Sequence, residues 1–388
     1  MNPYILDSSL LEGFKQAVHD HDDFLINTYK NYNGKNLMNL IFSAKDWLSV
    51  SVNGLPHINL NHQNDDFRSL NVLQLIMAYD LVLQSIEQLH RVFEMEHPLK
   101  KDNSVFNEDI PDDTYFAQIR ASFGAHPVDL RSANGRKSAD KYFASWSSDV
   151  GGNGDYTVYH YSNNPDDDKP IPLSMSFAKI HEYTVKRYSL LSNVVSVIEE
   201  KKGSFVEKQR QRTIKRSSDI VEQLKILLEE NNARICDKSG YQFEIETMIK
   251  LFTAPQDFPE REREEVAKYL TSLKLLVNEL YDALQGMKFG DEDDDTDSED
   301  NLSHYYLLHS RPSRFKTVSY DLSKVFEYLN NPYYYQSLLE YHIKRLVDAG
   351  VLPPFVSLET NKFDLQLLLL SRIASTDQGE WGIGVEGA

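Results

Sequence analysis

The stretch from about Ser69 to Glu96 constrains the fold more than any other. Leu70, Leu73, Ile76, Met77, Leu81, Ile86, Leu89 and Phe93 recur there in steps that a helix turns into one broad apolar stripe. Pro98 lies just beyond, where a helix has to have ended. A stripe that wide is stable only against other apolar surface, so neighbouring helices must cover it. The same period returns in Leu10, Phe14, Ala17 and Val18, then in Leu25 and Tyr29, and again over 37–48. A polar loop with Pro111 leads into a predicted helix over 115–125, with Asp112 or Asp113 as its N-cap. Further on, Ile180, Tyr183, Tyr188 and Leu191 mark a helix from near Ser176 to about Glu200. Gly203 breaks it, and Ile214, Val221, Leu224 and Leu228 mark another over 204–230. Residues 243–251, 260–287, 320–329, 334–349 and 363–374 continue the theme, with Gly350 suited to a C-cap.

Strand signals are few. Asp155-Tyr-Thr-Val-Tyr-His-Tyr161 is rich in β-branched and aromatic residues. Residues 170–177 supply an antiparallel partner across the turn 163–169. Residues 50–60, with Gly54 and Pro56, read as a loop or weak hairpin, and 141–148 as a short amphipathic piece. The expected fold class is therefore mainly α with a small β-hairpin near 155–177. The expected domain plan is a helical domain with that hairpin over 1–200, a helical region with a basic start over 201–290, an acidic linker over 291–303 and a helical module over 304–388.

Charge refines the list of partners. The net charge of −18 speaks against nucleic acid as a general ligand. It is unevenly spread, however. Asp291-Glu-Asp-Asp-Asp-Thr-Asp-Ser-Glu-Asp300 is too charged to fold. Lys201 to Arg216 carries seven cations against Glu207 alone. On a helix Lys208, Arg212, Lys215 and Arg216 share a face, a candidate RNA-binding surface. The single cysteine, Cys236, rules out an intrachain disulfide and a cysteine-based metal site. Its acidic neighbours Glu229, Glu230 and Asp237 disfavour a thiolate. No run of about 18 apolar residues suggests a membrane span. A cytoplasmic location is expected.

The residues that point to chemistry are Arg120 and His126, in Tyr115-Phe-Ala-Gln-Ile-Arg-Ala-Ser-Phe-Gly-Ala-His-Pro-Val-Asp129. An imidazole exchanges protons near neutral pH, and a guanidinium grips a phosphate through two parallel hydrogen bonds. Small residues between them let a nucleic-acid backbone come close. Ser122 and Asp129 are candidate polar helpers. Arg91 and His97 have the same spacing, but the two glutamates between them would repel a phosphate, whereas no acid separates Arg120 from His126.

This spacing resembles the Arg-x(4–6)-His signature of the HEPN superfamily, mostly helical domains. Many members are ribonucleases of toxin–antitoxin, abortive-infection and CRISPR-associated systems. The resemblance is specific at the motif and extends over about residues 65–200, where a long amphipathic helix and a loop precede the motif helix. It implies a four- to five-helix bundle and metal-independent, cofactor-free cleavage of RNA in which His126 is the general base and Arg120 steadies the transition state. It implies a homodimer too, because such sites are commonly composite, and a role in anti-phage defence or as a toxin. Active members commonly carry a polar residue after the arginine, and this chain has Ala121.

Two rival readings start from other features. One is a non-catalytic helical binding protein with a degenerate site, whose acidic segment engages a regulatory protein partner. The other is a metal-dependent hydrolase using His19 and Asp23 of His19-Asp-His-Asp-Asp23, which one helix would bring together at i and i+4. The tyrosines, including 305–306 and 333–335, read mainly as helix packing. Gly151-Gly-Asn-Gly154 precedes a strand rather than a helix, so it is no phosphate loop.

Overall fold

The computed structural model of the chain describes residues 3–125, 130–133, 136–146, 154–166, 169–235, 240–289, 302–309, 313–331 and 336–377. His126, Asp129, Cys236, the glycine run 151–153, the acidic stretch 291–300 and Tyr333 to Tyr335 lie outside them. The chain divides into two compact units, Met1–Ser204 and Phe205–Ala388. It is mainly helical with a small antiparallel sheet.

The first unit opens with α1 (Ser8–Asp20), α2 (Asp22–Tyr29) and α3 (Met38–Gly54). Asp7 caps α1 by accepting the Ser9 N–H at 2.9 Å. The expected loop at 50–60 is helical through Gly54 and ends in a 3₁₀ turn over Leu55–His57, because Val52 and Leu55 continue the buried face of α3. α4 (Asp65–Val92) is the long helix, started by Asn64, which accepts the Phe67 N–H at 3.0 Å. It packs on α3 and on a later helix, with Val72, Leu75, Ile76, Tyr79, Val82, Ile86 and Leu89 buried. By length and hydropathy α4 would also suit a membrane span, but these side chains form the core of the first unit. Leu70, read as part of the stripe, is exposed.

α5 (Asp112–Arg120) is shorter than expected and begins after Pro111 with no side-chain cap from an aspartate. The buried Asp112 carboxylate instead accepts the Val105 and Phe106 N–H groups at 3.2 and 3.1 Å, closing the preceding loop. Asp113 pairs with the buried Arg187 at 2.7 Å. Residues Ala121–Ala125 form one π-helical turn.

Four strands follow: β1 (Leu130–Ala133), β2 (Arg136–Trp146), β3 (Tyr156–Ser162) and β4 (Ile171–Met175). They pair antiparallel in chain order. The β3–β4 pair is the expected hairpin, with Tyr156 opposite Met175. The amphipathic piece at 141–148 belongs to β2 through Trp146, where Tyr142 turns inward and Phe143 outward, the two-residue alternation of a strand. Beyond β4, the expected helix to Glu200 is two helices, α6 (Phe177–Tyr188) and α7 (Leu191–Gln211). At the break the Ser189 hydroxyl bonds the Lys186 carbonyl at 2.9 Å and the Ser192 hydroxyl the Ser189 carbonyl at 2.8 Å. Side chains there compete with the helical ladder.

The second unit contains the end of α7, then α8 (Ile220–Arg234), α9 (Gln242–Phe252), α10 (Glu260–Gly286), the short α11 (Tyr306–His309), α12 (Ser319–Asn330), α13 (Gln336–Asp348) and α14 (Lys362–Asp377). Buried residues from Ile214 to Ala374 form one apolar cluster, so the described residues of the expected end module share their core with 205–289 instead of building their own. Gly350 ends α13 at φ 72°, and the Val351 N–H closes back on the Leu346 carbonyl at 2.9 Å, the left-handed cap that favours glycine.

Candidate functional site

Arg120 is the last residue of α5, and its side chain is 36% exposed. Asp80, buried on α4, holds it: Arg120 Nη1 lies 3.1 and 3.2 Å from the two carboxylate oxygens. Gln84, one turn along α4, donates to the same carboxylate. Leu73, Met77, Asp80 and Gln84 follow one another in steps of four, three and four, so they line one face of α4. That face meets the π turn at Gly124, where an added Cβ would stand 2.6 Å from Leu73 Cδ1 and 3.6 Å from Met77 Sδ. A small residue is needed at Gly124 to let the turn approach α4.

The turn is fixed a second time from the sheet. Ser122 is buried, and its hydroxyl lies 2.9 Å from His160 Nε2 on β3. Burial lowers the His160 pKa, which keeps the imidazole neutral. A serine hydroxyl beside a neutral imidazole has the distance of a nucleophile–base pair. Both are closed to solvent, so the contact positions the turn and does not face a substrate. The arginine thus stands at a surface point fixed by a core carboxylate, followed by a turn held by α4 and β3. π turns are uncommon and recur at functional sites. Ser122 is therefore not an exposed helper, and the partners of the segment are Asp80, Gln84 and His160. The signal for Asp80 was present in the sequence as a lone carboxylate between Tyr79 and Val82.

The competing pair comes apart. α4 ends at Val92, and Glu94 takes a left-handed φ of 57°, so the Met95 N–H returns to the His90 carbonyl at 2.8 Å. Arg91 stays exposed, while His97 folds back with its ring 5.2 Å from that of His90. Burial lowers the pKa of both histidines.

The candidate metal cluster is likewise divided. α1 ends at Asp20 and α2 begins at Asp22, so His19 and Asp23 are not on one helix. His21 Nε2 lies 2.9 Å from Glu199. Among the described residues no group of three or more His, Cys, Asp or Glu side chains gathers to hold a metal ion.

The basic stretch differs most from expectation. α7 runs through Gly203, and the helix ends at Gln211, so Lys208, Arg212, Lys215 and Arg216 do not share a helical face. The cause is Arg234. Its buried guanidinium donates to the carbonyls of Gln209 at 2.8 Å, Leu284 at 3.2 Å and Arg212 at 2.7 Å, and pairs with Glu230 at 3.0 Å. Tyr281 adds a hydroxyl bond to the Ile214 carbonyl at 3.0 Å. These donors compensate the carbonyls that the helix leaves open. Lys208, Arg212, Lys215 and Arg216 are all exposed. Arg212 nevertheless pairs with Glu230, and Arg216 lies 3.3 Å over the Tyr281 ring and bonds Asn278 at 3.1 Å.

Comparison with known proteins adds no relative: no family model matches the chain, and no match is found among curated proteins or solved structures.

Proposed function

We propose that the chain is a metal-independent endoribonuclease whose centre is the Arg120–His126 segment. The observation that supports this most directly is the fixed, half-exposed guanidinium of Arg120, oriented by Asp80 and followed by a pinned π turn. In this reading Arg120 takes a bridging phosphate and offsets the charge that grows on it in the transition state. His126 removes the proton from the neighbouring 2′-hydroxyl, whose oxygen attacks the phosphorus while the 5′-oxygen leaves and takes up a proton from water. The products are a 2′,3′-cyclic phosphate and a 5′-hydroxyl, and DNA, lacking the hydroxyl, is not cut. Ser122 and His160 position the segment. Two copies acting together, and a part in defence or toxicity, follow from the HEPN resemblance alone.

One observation favours a second reading. Asp80 neutralises Arg120, and Ala121 follows it, as in a site that has lost its chemistry and serves a partner instead. Cleavage of total RNA in EDTA separates the two. Under the first reading the wild type cuts and leaves cyclic-phosphate ends, and Arg120→Ala and His126→Ala each slow cutting by about 100-fold or more. Absence of cutting over concentrations that populate a dimer selects the second, and EDTA-sensitive cutting defeats the first.

A further inference from the structure

The sheet has two faces, and the site uses only one. Tyr142, Val158, His160, Leu173 and Met175 point inward and are buried, His160 reaching Ser122 from there. Lys141, Phe143, Tyr159 and Tyr161 alternate to the other face. Phe143 stands directly across from Tyr161 in the β2–β3 register, and the two are 39% and 46% exposed. Tyr159 lies two residues along β3, about 6.8 Å away on the same face. In sequence β1 and β2 also carry Arg131, Arg136, Lys137 and Lys141 against a single acid, Asp140, so this hairpin is basic within a chain of net charge −18.

Exposed planar rings on a face that also carries Lys141, two residues before Phe143, match one ligand chemistry closely. Unpaired bases stack on the rings, and a phosphate meets the cation. A duplex keeps its base faces inside its own stack and cannot use such a surface. We propose that the solvent face of β2 and β3 binds single-stranded RNA, with bases stacked on Phe143 and Tyr161 and a phosphate held by Lys141. This inference rests on the ribonuclease reading for its choice of RNA, and it gives that reading a substrate class: unpaired strands, delivered by the same strand β3 that fixes the catalytic turn.

The test is fluorescence anisotropy with a labelled 2′-O-methyl RNA of roughly twelve nucleotides, within the span such surfaces cover. That RNA cannot be cut by 2′-hydroxyl attack, so binding is read independently of cleavage. The single strand should bind more tightly than its duplex. Phe143→Ala and Tyr161→Ala should each weaken binding at least about fivefold, and Tyr161→Phe should restore it, since stacking needs the ring alone. Lys141→Ala should flatten the salt dependence. Unchanged affinity in both alanine variants, or equal binding of duplex, overturns the proposal. So does loss of a light-scattering dimer in those variants with RNA binding intact, which would make this face a protein interface. If the wild type binds as stated yet cuts no RNA, the binding face stands and the ribonuclease reading falls. If it cuts and the alanine variants bind and cut normally, the reverse holds.

Discussion

Arg120 in the first unit and Arg234 in the second each meet a carboxylate from a helix, yet they are different kinds of residue. Arg234 has no exposed side-chain surface, and its donors are spent on Glu230 and three carbonyls. Arg120 has a carboxylate behind it and solvent in front. An arginine surrounded by acceptors on all sides is architecture, and its removal leaves buried groups unpaired. One held from behind and open in front can take a ligand without moving. The pairing partner alone does not make the distinction; the remaining face does.

The largest way to break this contrast is Arg234→Ala. Glu230 and the carbonyls of Gln209, Arg212 and Leu284 each lose a buried, charged donor, and the second unit should lose roughly 3–5 kcal/mol in urea unfolding. Asp80→Ala comes next: cleavage should fall about tenfold because Arg120 is no longer oriented, and a misplaced group costs up to 100-fold. If Asp80→Ala instead speeds cleavage, the carboxylate is an inhibitor of the site and the contrast fails. Gly124→Ala is smaller. Its Cβ meets the mobile end of Leu73, and melting should show a loss on the order of 1 kcal/mol, with cleavage reduced because the turn is displaced. Arg216→Ala should change stability least, by about 0.5–1 kcal/mol, the worth of its stacking on Tyr281.

Acid offers a different lever on the first unit. Desolvation by burial lowers the pKa values of His90, His97, His160 and His181. A histidine whose folded pKa is depressed favours the folded state while neutral. Its contribution is present above the unfolded value of about 6.5 and is lost as pH falls through and below it. Urea midpoints should therefore drop between pH 7 and pH 5, and His90→Phe should reduce the drop.

Much of the helical fold was legible because its information is local. The period of α4, the cap at Gly350 and the β3–β4 pair follow from spacing and turn chemistry within a few residues. The failures have long-range causes. The helix expected at 204–230 stops at Gln211 because Arg234 and Tyr281, far along the chain, claim its carbonyls. β2 was missed because its alternation is weak until β3 lies beside it. In the candidate site Arg120 could be read from spacing, but Asp80 and His160 reach it across 40 and 38 residues of sequence, respectively to Arg120 and to Ser122. No motif encodes such distances.

The π turn at Ala121–Ala125 has a consequence for how this segment can change over evolutionary time. Each residue of an α-helix advances the chain by about 100° around the axis. A wide turn stores one residue beyond the α-helical count, so it sets the rotational phase of everything that follows. Substitutions within 121–125 leave that phase alone, whereas deleting a single residue would swing the downstream chain by about a quarter turn. The length of this segment should therefore be held more strictly than its composition.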